Sequence, residues 1–374
     1  RGFPLLLQIH DFAEDGRPGN YHFLLRELGN GDPERLCSRL YPVGQHVRYA
    51  VLNRRDLRIL REAGIAGATT LPNPVALASS PLPDAAPVNS SGRNLYLYPT
   101  RAIRRKNIGE FLLWSALVPE DALWAITLAP APDSRERSRY EAWKAFAARL
   151  ELPVKFEYAS STGLPFENML RSATASVTTS IAEGFGLAFL EPWAMGTPVI
   201  GRKLPEITQE FEENGMQLQG CYDSLHVNRD LVNTDRLKQA VFREYSDYRR
   251  RCGLNPAVQE CERAYAAAFQ NPDSIKFDCL DEEGQAEVIR VLAESGRASD
   301  AVQPMFPGSL RESLESIETN RRVVAGCYSL AVYGARLRSI YGEVAGSPAE
   351  QPDSAPRRSL MEWFGAPERF RLLR

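Results

Sequence analysis

Short apolar runs alternate with longer stretches of helical periodicity along the first two thirds of the chain. Leu5 to Ile9 reads as a buried strand that ends in His10-Asp11, and Val47 to Leu52 as a second strand leading into the helical stretch Asp56 to Ala63. Ala68 to Leu71 makes a third, and Pro72-Asn73-Pro74 turns the chain out of this unit. The following segment, Ala78 to Arg93, is rich in Ser, Pro and Ala and has the composition of an inter-domain linker. Beyond it the alternation is regular: strand Asn94 to Tyr98, helix Ile108 to Leu117, strand Leu123 to Leu128, helix Ser134 to Leu150, strand Val154 to Tyr158. Phe166 to Ala173 predicts a short helix, Ala175 to Thr178 a strand, Leu187 to Met195 an apolar helix stopped by Gly196, and Thr197 to Ile200 another strand. Strands and helices alternating at this spacing predict parallel βαβ units, whose ligands sit at the carboxyl ends of the strands.

From about Leu225 the strand pattern vanishes and long helical periods take over, at Thr234 to Arg251, Pro256 to Ala268, Glu282 to Ala293 and Leu310 to Tyr341. Asp281, directly before acids at 282 and 283, is placed to cap a helix. A second Pro-rich segment, Gly346 to Pro356, precedes a last helix that runs to Arg374. The expected division is therefore 1–78, a linker at 79–93, a regular α/β unit at 94–224, a helical region at 225–345 and a terminal linker and helix at 346–374.

Composition narrows the function. A chain of 374 residues is long for one core and suggests two domains. Its net charge of −2 supplies no field that would gather nucleic acid or anionic lipid. The longest apolar runs, such as Phe111-Leu112-Leu113-Trp114, are far shorter than the roughly 20 residues of a membrane-spanning helix, so a soluble, cytoplasmic protein is expected. The six cysteines form no C-x-x-C pair, which argues for reduced thiols and against a zinc site or disulfide framework.

The chemistry concentrates in two runs. The first is Ser180-Ile181-Ala182-Glu183-Gly184-Phe185-Gly186-Leu187-Ala188-Phe189-Leu190-Glu191, followed by Gly196-Thr197-Pro198-Val199-Ile200. A Gly-x-Gly turn by itself is usually structural, but the whole run from Ser180 to Ile200 resembles, in order and spacing, the E-x7-E signature of retaining glycosyltransferases of family 4, the glycosyl transferases group 1 type, which share the GT-B fold. Gly184 and Gly186 at a strand end let backbone approach a ligand, and the helix predicted to begin there offers unpaired N–H groups and a positive dipole end to a diphosphate. The resemblance assigns Glu183 to the donor sugar, Gly184, Phe185, Gly186 and Leu187 to the donor-binding loop, and Glu191, about one helical turn in, to the ribose diol. Pro192 departs from an ideal helix because it lacks an N–H.

The second run is Tyr98-Pro99-Thr100-Arg101-Ala102-Ile103-Arg104-Arg105-Lys106-Asn107, after the first strand of the regular unit. The family places an Arg and, five residues on, a Lys here, and Arg101 and Lys106 match. Fixed cations at that point stabilise a leaving nucleoside diphosphate as its charge grows, without a metal. At the end of the first strand His10 corresponds to an acceptor-facing histidine of relatives, with Asp11 orienting its surroundings; His22, His46 and His226 read as structural. Weaker positional candidates are Tyr158 to Ser161, for the nucleobase, and Leu204-Pro205-Glu206-Ile207.

The resemblance implies an α/β fold of GT-B type, with two Rossmann-like parallel-sheet domains and a helical C-terminal region, and a metal-independent hexosyltransferase without a cofactor. The donor would be a UDP, GDP or ADP sugar bound by the second domain. The acceptor would be a carbohydrate or lipid-linked hydroxyl bound on the first, with the protein working beside a membrane in many relatives. The glycine-rich loop that opens a GT-B first domain is not found, so a segment on the order of 100 residues, the scale of a domain, is expected before Arg1. In the fold a C-terminal helix often crosses back onto the first domain; the stripe Val323, Val324, Cys327, Leu330, Ala331 and Tyr333 fits that role and a simple core helix equally. Other functions on the same scaffold are a non-catalytic binding module, a phosphorylase and an epimerase; a nicotinamide enzyme is disfavoured because G-x-G-x-x-G is missing.

Overall fold

In the computed structural model, residues 4–15, 18–77, 93–118, 121–295, 301–303, 314–346 and 360–373 are described. The linker at 79–93 and the segment Gly346 to Pro356 fall almost wholly outside them. The first unit is a parallel sheet in the order β1 (Leu5–Ile9), β2 (Val47–Val51), β3 (Ala68–Thr70), with Ile9 registered on Val51 and Val51 on Thr70. Its core gathers Phe12, Tyr49, Ile59 and Leu60. Two helices not expected from the sequence, Pro18–Glu27 and Pro33–Leu40, connect β1 to β2. The second starts at an Asp32 cap that accepts the Glu34 N–H at 2.9 Å, with proline in its first turn, where the missing N–H costs nothing.

The second unit is a six-stranded parallel sheet ordered β6 (Val154–Lys155), β5 (Ala122–Leu128), β4 (Asn94–Arg101), β7 (Ala175–Thr178), β8 (Val199–Arg202), β9 (Cys221–Tyr222). Its central strands are buried on both faces, which is why Leu95 to Tyr98 reads as an unbroken apolar run. The fold is thus α/β, with two parallel Rossmann-like sheets, as the GT-B expectation required.

Four expectations are corrected. Strands do not vanish after Leu225: β10 (His226–Asn228), β11 (Phe269–Asn271), β12 (Ser274–Lys276) and β13 (Val302–Gln303) form an antiparallel sheet ordered β11-β12-β10-β13. Each is two or three residues long and buries a single large side chain or fewer, too little for a period of two to show. Residues 154 to 158 hold only a two-residue strand, because Glu157 takes a left-handed conformation (φ 57°) and starts the helix Tyr158–Thr162. The predicted helix 187–195 is split into a 3-10 turn, Leu187–Phe189, and a single turn, Glu191–Ala194, with Pro192 at its second position. The last predicted helix is one turn, Met361–Phe364, followed by a 3-10 turn, Pro367–Arg369.

The long C-terminal period crosses between the two units. Helix Ile317–Tyr328 packs Val324 and Tyr328 against Trp193 and Phe211 of the second unit. Ser329 then extends and bridges Val75, and helix Leu330–Ala345 lays Ile340 and Val344 on Ala50 and Leu71 of the first. The stripe is therefore divided, and Leu330 is left exposed. From 360 the chain returns across the molecule. Phe364 meets Phe12, Phe370 packs edge-on to Tyr245, and Leu372 and Leu373 are buried.

Candidate functional site

The strand order reverses at β4 and β7: β5 and β6 lie to one side, β8 and β9 to the other. A crevice opens at such a reversal, outside the carboxyl ends of the two strands. The loops that line it come from the two chemically distinctive runs. After β4 the chain makes a 3-10 turn, Arg104–Lys106, and Asn107 adopts φ 50° to start the helix Ile108–Leu117. The turn's carbonyls are tied down by residues just after β7 and by β4 itself: Thr179 Oγ1 donates to the Lys106 and Asn107 carbonyls at 3.0 and 3.1 Å, Ser180 Oγ to that of Arg105 at 3.3 Å, and Tyr98 Oη of β4 to that of Lys106 at 3.1 Å. With the backbone held from below, the side chains of Arg105 and Lys106 project upward.

They meet Glu183. Lys106 Nζ donates to Glu183 Oε1, and Arg105 Nη1 lies 3.1 Å from Oε2 while also donating to the Ala182 carbonyl at 2.6 Å. Glu183 is only 10% exposed. Burial opposes its charge, but Lys106 and Arg105 more than offset that and hold its carboxyl below the ordinary value. Burial, with Arg105 beside it, lowers the Lys106 ammonium below its ordinary value against the pull of Glu183.

The glycines of the loop have separate physical reasons. A Cβ on Gly184 would stand 3.2 Å from the His10 carbonyl oxygen, so glycine lets the end of β1 close on the second unit. Gly186 has φ 97°, a conformation that side chains avoid. Asn53 fastens the loop: its Nδ2 donates to the Gly184 carbonyl at 2.7 Å while its Oδ1 caps the helix Arg54–Glu62 by accepting the Asp56 N–H at 2.9 Å. The sequence signal for it was an Asn three residues before an acid at a helix start.

Not every expected residue reaches the crevice. Arg101 is exposed and donates to the Ala129 carbonyl at 3.0 Å, on the β5 side, so the second cation on Glu183 is Arg105. Arg104 is committed elsewhere, as a two-point pair with Glu282 at 2.6 and 2.9 Å. Phe185 is a core residue, buried against Phe211 and Tyr328, and Leu187 packs on the same cluster; only their backbone is available to a ligand. Glu191 begins its one-turn helix instead of lying a turn inside a longer one, and burial raises its carboxyl above the ordinary value. His10 is exposed, whereas its neighbour Asp11 lines a cavity. Tyr158 packs on the core beside Met169.

Two cavities adjoin Glu183. One, of about 330 Å³, lies on the β4 and β5 side and is lined by Asp11, Arg105, Glu136, Glu183, Gly184 and Leu373. The other, of about 390 Å³, opens toward β8, where Glu183 and Ala182 face Arg202, Lys203, Leu204 and Arg369. Beneath them runs a closed network the sequence did not disclose. Arg202 binds Glu110 at 3.1 and 2.5 Å, Tyr222 Oη donates to Glu110 at 2.7 Å, and Arg371 Nε donates to Asp278 at 2.9 Å. Asn107 Nδ2 donates to Glu110 at 2.8 Å, which joins this network to the turn that carries Lys106. Among the described residues no cluster of three or more His, Cys, Asp and Glu is arranged to hold a metal, and no helix is long and apolar enough to cross a membrane.

Residues 84–221 match the family model for Glycosyl transferases group 1. A curated relative, mannosylglucosyl-3-phosphoglycerate synthase of Petrotoga mobilis (strain DSM 10674 / SJ95), is 32% identical over 232 residues, which are 57% of this chain and 43% of the relative. The chain thus spans less than half the length of that relative. Among solved structures, Anabaena Alr3699/HepE in complex with UDP and glucose aligns with 10% identity and a TM-score of 0.47, covering 91% of this chain and 71% of that one. Sucrose-phosphate synthase from Thermosynechococcus elongatus aligns with 15% identity and a TM-score of 0.44, covering 91% and 68%. The family match begins just before β4 and ends at the first residue of β9, so the part of this chain that is similar to the group 1 glycosyl transferases is the six-stranded unit with both loops of the crevice.

Proposed function

We propose that this chain carries the donor site of a nucleotide-sugar-dependent glycosyltransferase that transfers a hexose to a carbohydrate hydroxyl with retention of configuration and without a metal. The observation that carries the proposal is Glu183, held by Lys106 and Arg105 at the point of strand reversal inside the matched segment. The diphosphate of the donor would take Lys106 and Arg105 as partners in place of part of their contact with Glu183, which then faces the sugar hydroxyls. Because the helix after Gly186 is broken by Pro192, these two cations, not a long helix dipole, would supply most of the stabilisation. In the reaction the bond from the sugar's anomeric carbon to the phosphate oxygen breaks and a bond from that carbon to the acceptor oxygen forms. The acceptor proton passes to the departing phosphate oxygen, whose added charge Lys106 and Arg105 stabilise in place. Glu191 would accept hydrogen bonds from the ribose, and the end of β1, at His10 and Asp11, would border the acceptor. By the same proposal residues 1–78 form the acceptor side, 94–224 the donor side, and 225–345, with its helices and antiparallel sheet, the remainder that braces them.

The test is calorimetric titration of the chain with UDP, GDP and ADP in the presence of a chelator, repeated on Glu191→Ala. One nucleotide is expected to bind, with affinity reduced in the variant. If none binds to a folded chain, the donor proposal is wrong for this chain; if binding needs an added divalent ion, its metal independence is wrong. Retention is checked separately, from the anomeric coupling in the product's proton NMR spectrum.

A further inference from the structure

The 390 Å³ cavity on the β8 side of Glu183 is distinct from the one on the β4 and β5 side, and its charges are distributed unevenly. Five cations line it: Arg55, Arg202, Lys203, Arg369 and Arg371. Two are spent on buried partners, Arg55 on Asp56 and Asp15, Arg202 on Glu110 and Asp278. Arg371 shares Asp278 with Arg202, so one carboxylate there serves two guanidiniums. Lys203 and Arg369 differ, because they are mostly buried while their partners stand at the rim in water. Lys203 pairs with Glu212 at 2.9 Å and with Asp223, which is 64% exposed; Arg369 makes a two-point pair with Glu206, which is 41% exposed. The Arg369 Nε is buried without a hydrogen-bond partner among the described residues, and its guanidinium carbon lies 3.5 Å from the centre of the Trp363 ring, which holds the fork in place. Their carboxylate partners are also solvated, so an entering anion can exchange with them, and a guanidinium fork fits a phosphate or carboxylate at two points. The interior is therefore cationic and the rim acidic.

We propose that this cavity is the acceptor pocket and that it selects a small hydroxylated acceptor bearing a phosphate monoester or carboxylate, with the anionic group at Arg369 and Lys203 and the reacting hydroxyl toward Glu183. The proposal rests on the donor assignment above. Its volume lies in the range, roughly 300–1,000 Å³, that small-molecule sites occupy.

The experiment titrates the chain with 3-phosphoglycerate, glycerol 3-phosphate and glycerol, each with and without the nucleotide that binds best. Both anions are expected to bind and glycerol not to. Lys203→Gln and Arg369→Gln should each weaken the anions about tenfold, the usual scale for a charged hydrogen-bond partner, and leave nucleotide affinity unchanged. Arg369→Lys should recover part of the loss, and Lys106→Gln should change anion affinity less than twofold. The proposal is overturned if neither anion binds. It is equally overturned if anion binding survives Lys203→Gln and Arg369→Gln but is lost in Lys106→Gln, or if the chain binds phosphatidylglycerol vesicles and not the soluble esters. Should Arg369→Gln fail to fold, Lys203→Gln, on a more open pair, decides alone. Because anions are also titrated without nucleotide, a chain that binds no nucleotide sinks the donor assignment while the anion result stands or falls by itself.

Discussion

Glu183 and Glu110 are both buried carboxylates set against cations, and they have opposite fates. Around Glu110 every direction is closed: Arg202, Tyr222 and Asn107 all donate to it, none of its surface is exposed, and burial raises its carboxyl above the ordinary value even beside Arg202. Around Glu183 the cations lie on one side only and a cavity opens on each of the other two, so its charge is maintained by Lys106 and Arg105 and stays addressable by a ligand. An ion pair is thus no marker of a site by itself; what separates them is whether any of the carboxylate's neighbours can be exchanged. The two clusters are also joined, since Asn107 both follows Lys106 and donates to Glu110. The closed one serves as the foundation of the open one.

That contrast can be broken by substitution. The largest effect expected is on stability: Arg202→Ala leaves Glu110 buried without its cation and should cost about 3–5 kcal/mol in urea unfolding. A variant as stable as the parent would show that the closed cluster is not structural. Lys106→Ala should instead leave the urea midpoint near the parent's and lower kcat by about 10²–10³-fold, as expected when a fixed charge that stabilises the transition state is lost. Unchanged turnover would remove Lys106 from the chemistry. Glu191→Ala should weaken nucleotide binding by about 1–3 kcal/mol, measured by calorimetry. Arg101→Ala should shift kcat/KM by less than about 0.5 kcal/mol, the range of a surface change, while Arg105→Ala exceeds it; the reverse order would mean that Arg101 swings into the crevice when donor binds.

Acid sharpens the comparison further. Burial opposes ionisation of Asp278, yet Arg202 and Arg371 hold its carboxyl at about 2, well below the ordinary carboxylate value. A group depressed in the folded state contributes stability that is complete above its unfolded value and is lost as pH falls toward 2. The docking of residues 360–373 should therefore be the same at neutral pH and at roughly pH 5, read by hydrogen exchange corrected for intrinsic rates. Loosening already in that interval would show that Arg371 and Asp278 do not anchor the segment.

How much was legible varied with the length of chain that carries the information. The helix Thr234–Arg251 shows its period over enough residues to be read directly, and the helix Ile108–Leu117, buried almost all round, shows as a long apolar run. Asp281 announces its cap by position, and it accepts the Gly284 N–H at 2.9 Å. The strands of the antiparallel sheet do not, because Val227, Ile275 and Val302 each stand almost alone as buried positions. Within the site, Glu183 and Lys106 were visible because the two runs that hold them resemble those of a known family in order and spacing. Arg105 was passed over in favour of Arg101, since neighbours in a basic run differ only in the direction their turn gives them. The 3-10 geometry of Arg104–Lys106 sends one to Glu282 and the next to Glu183.

By itself, then, the sequence determined the two parallel sheets, the point at which the crevice would open and the two loops that line it, because apolar periodicity, glycines and a charged turn act over a few neighbouring residues. Tertiary structure alone decided that Asn53 would clasp Gly184, that Glu110, Arg202, Asp278 and Arg371 would converge beneath the crevice, and that Arg369 would return from the far end of the chain to wall a second cavity. Those partners lie tens to hundreds of residues apart, and which of many possible charge pairs forms is chosen by how the helices and sheets pack, a free energy that no local pattern records.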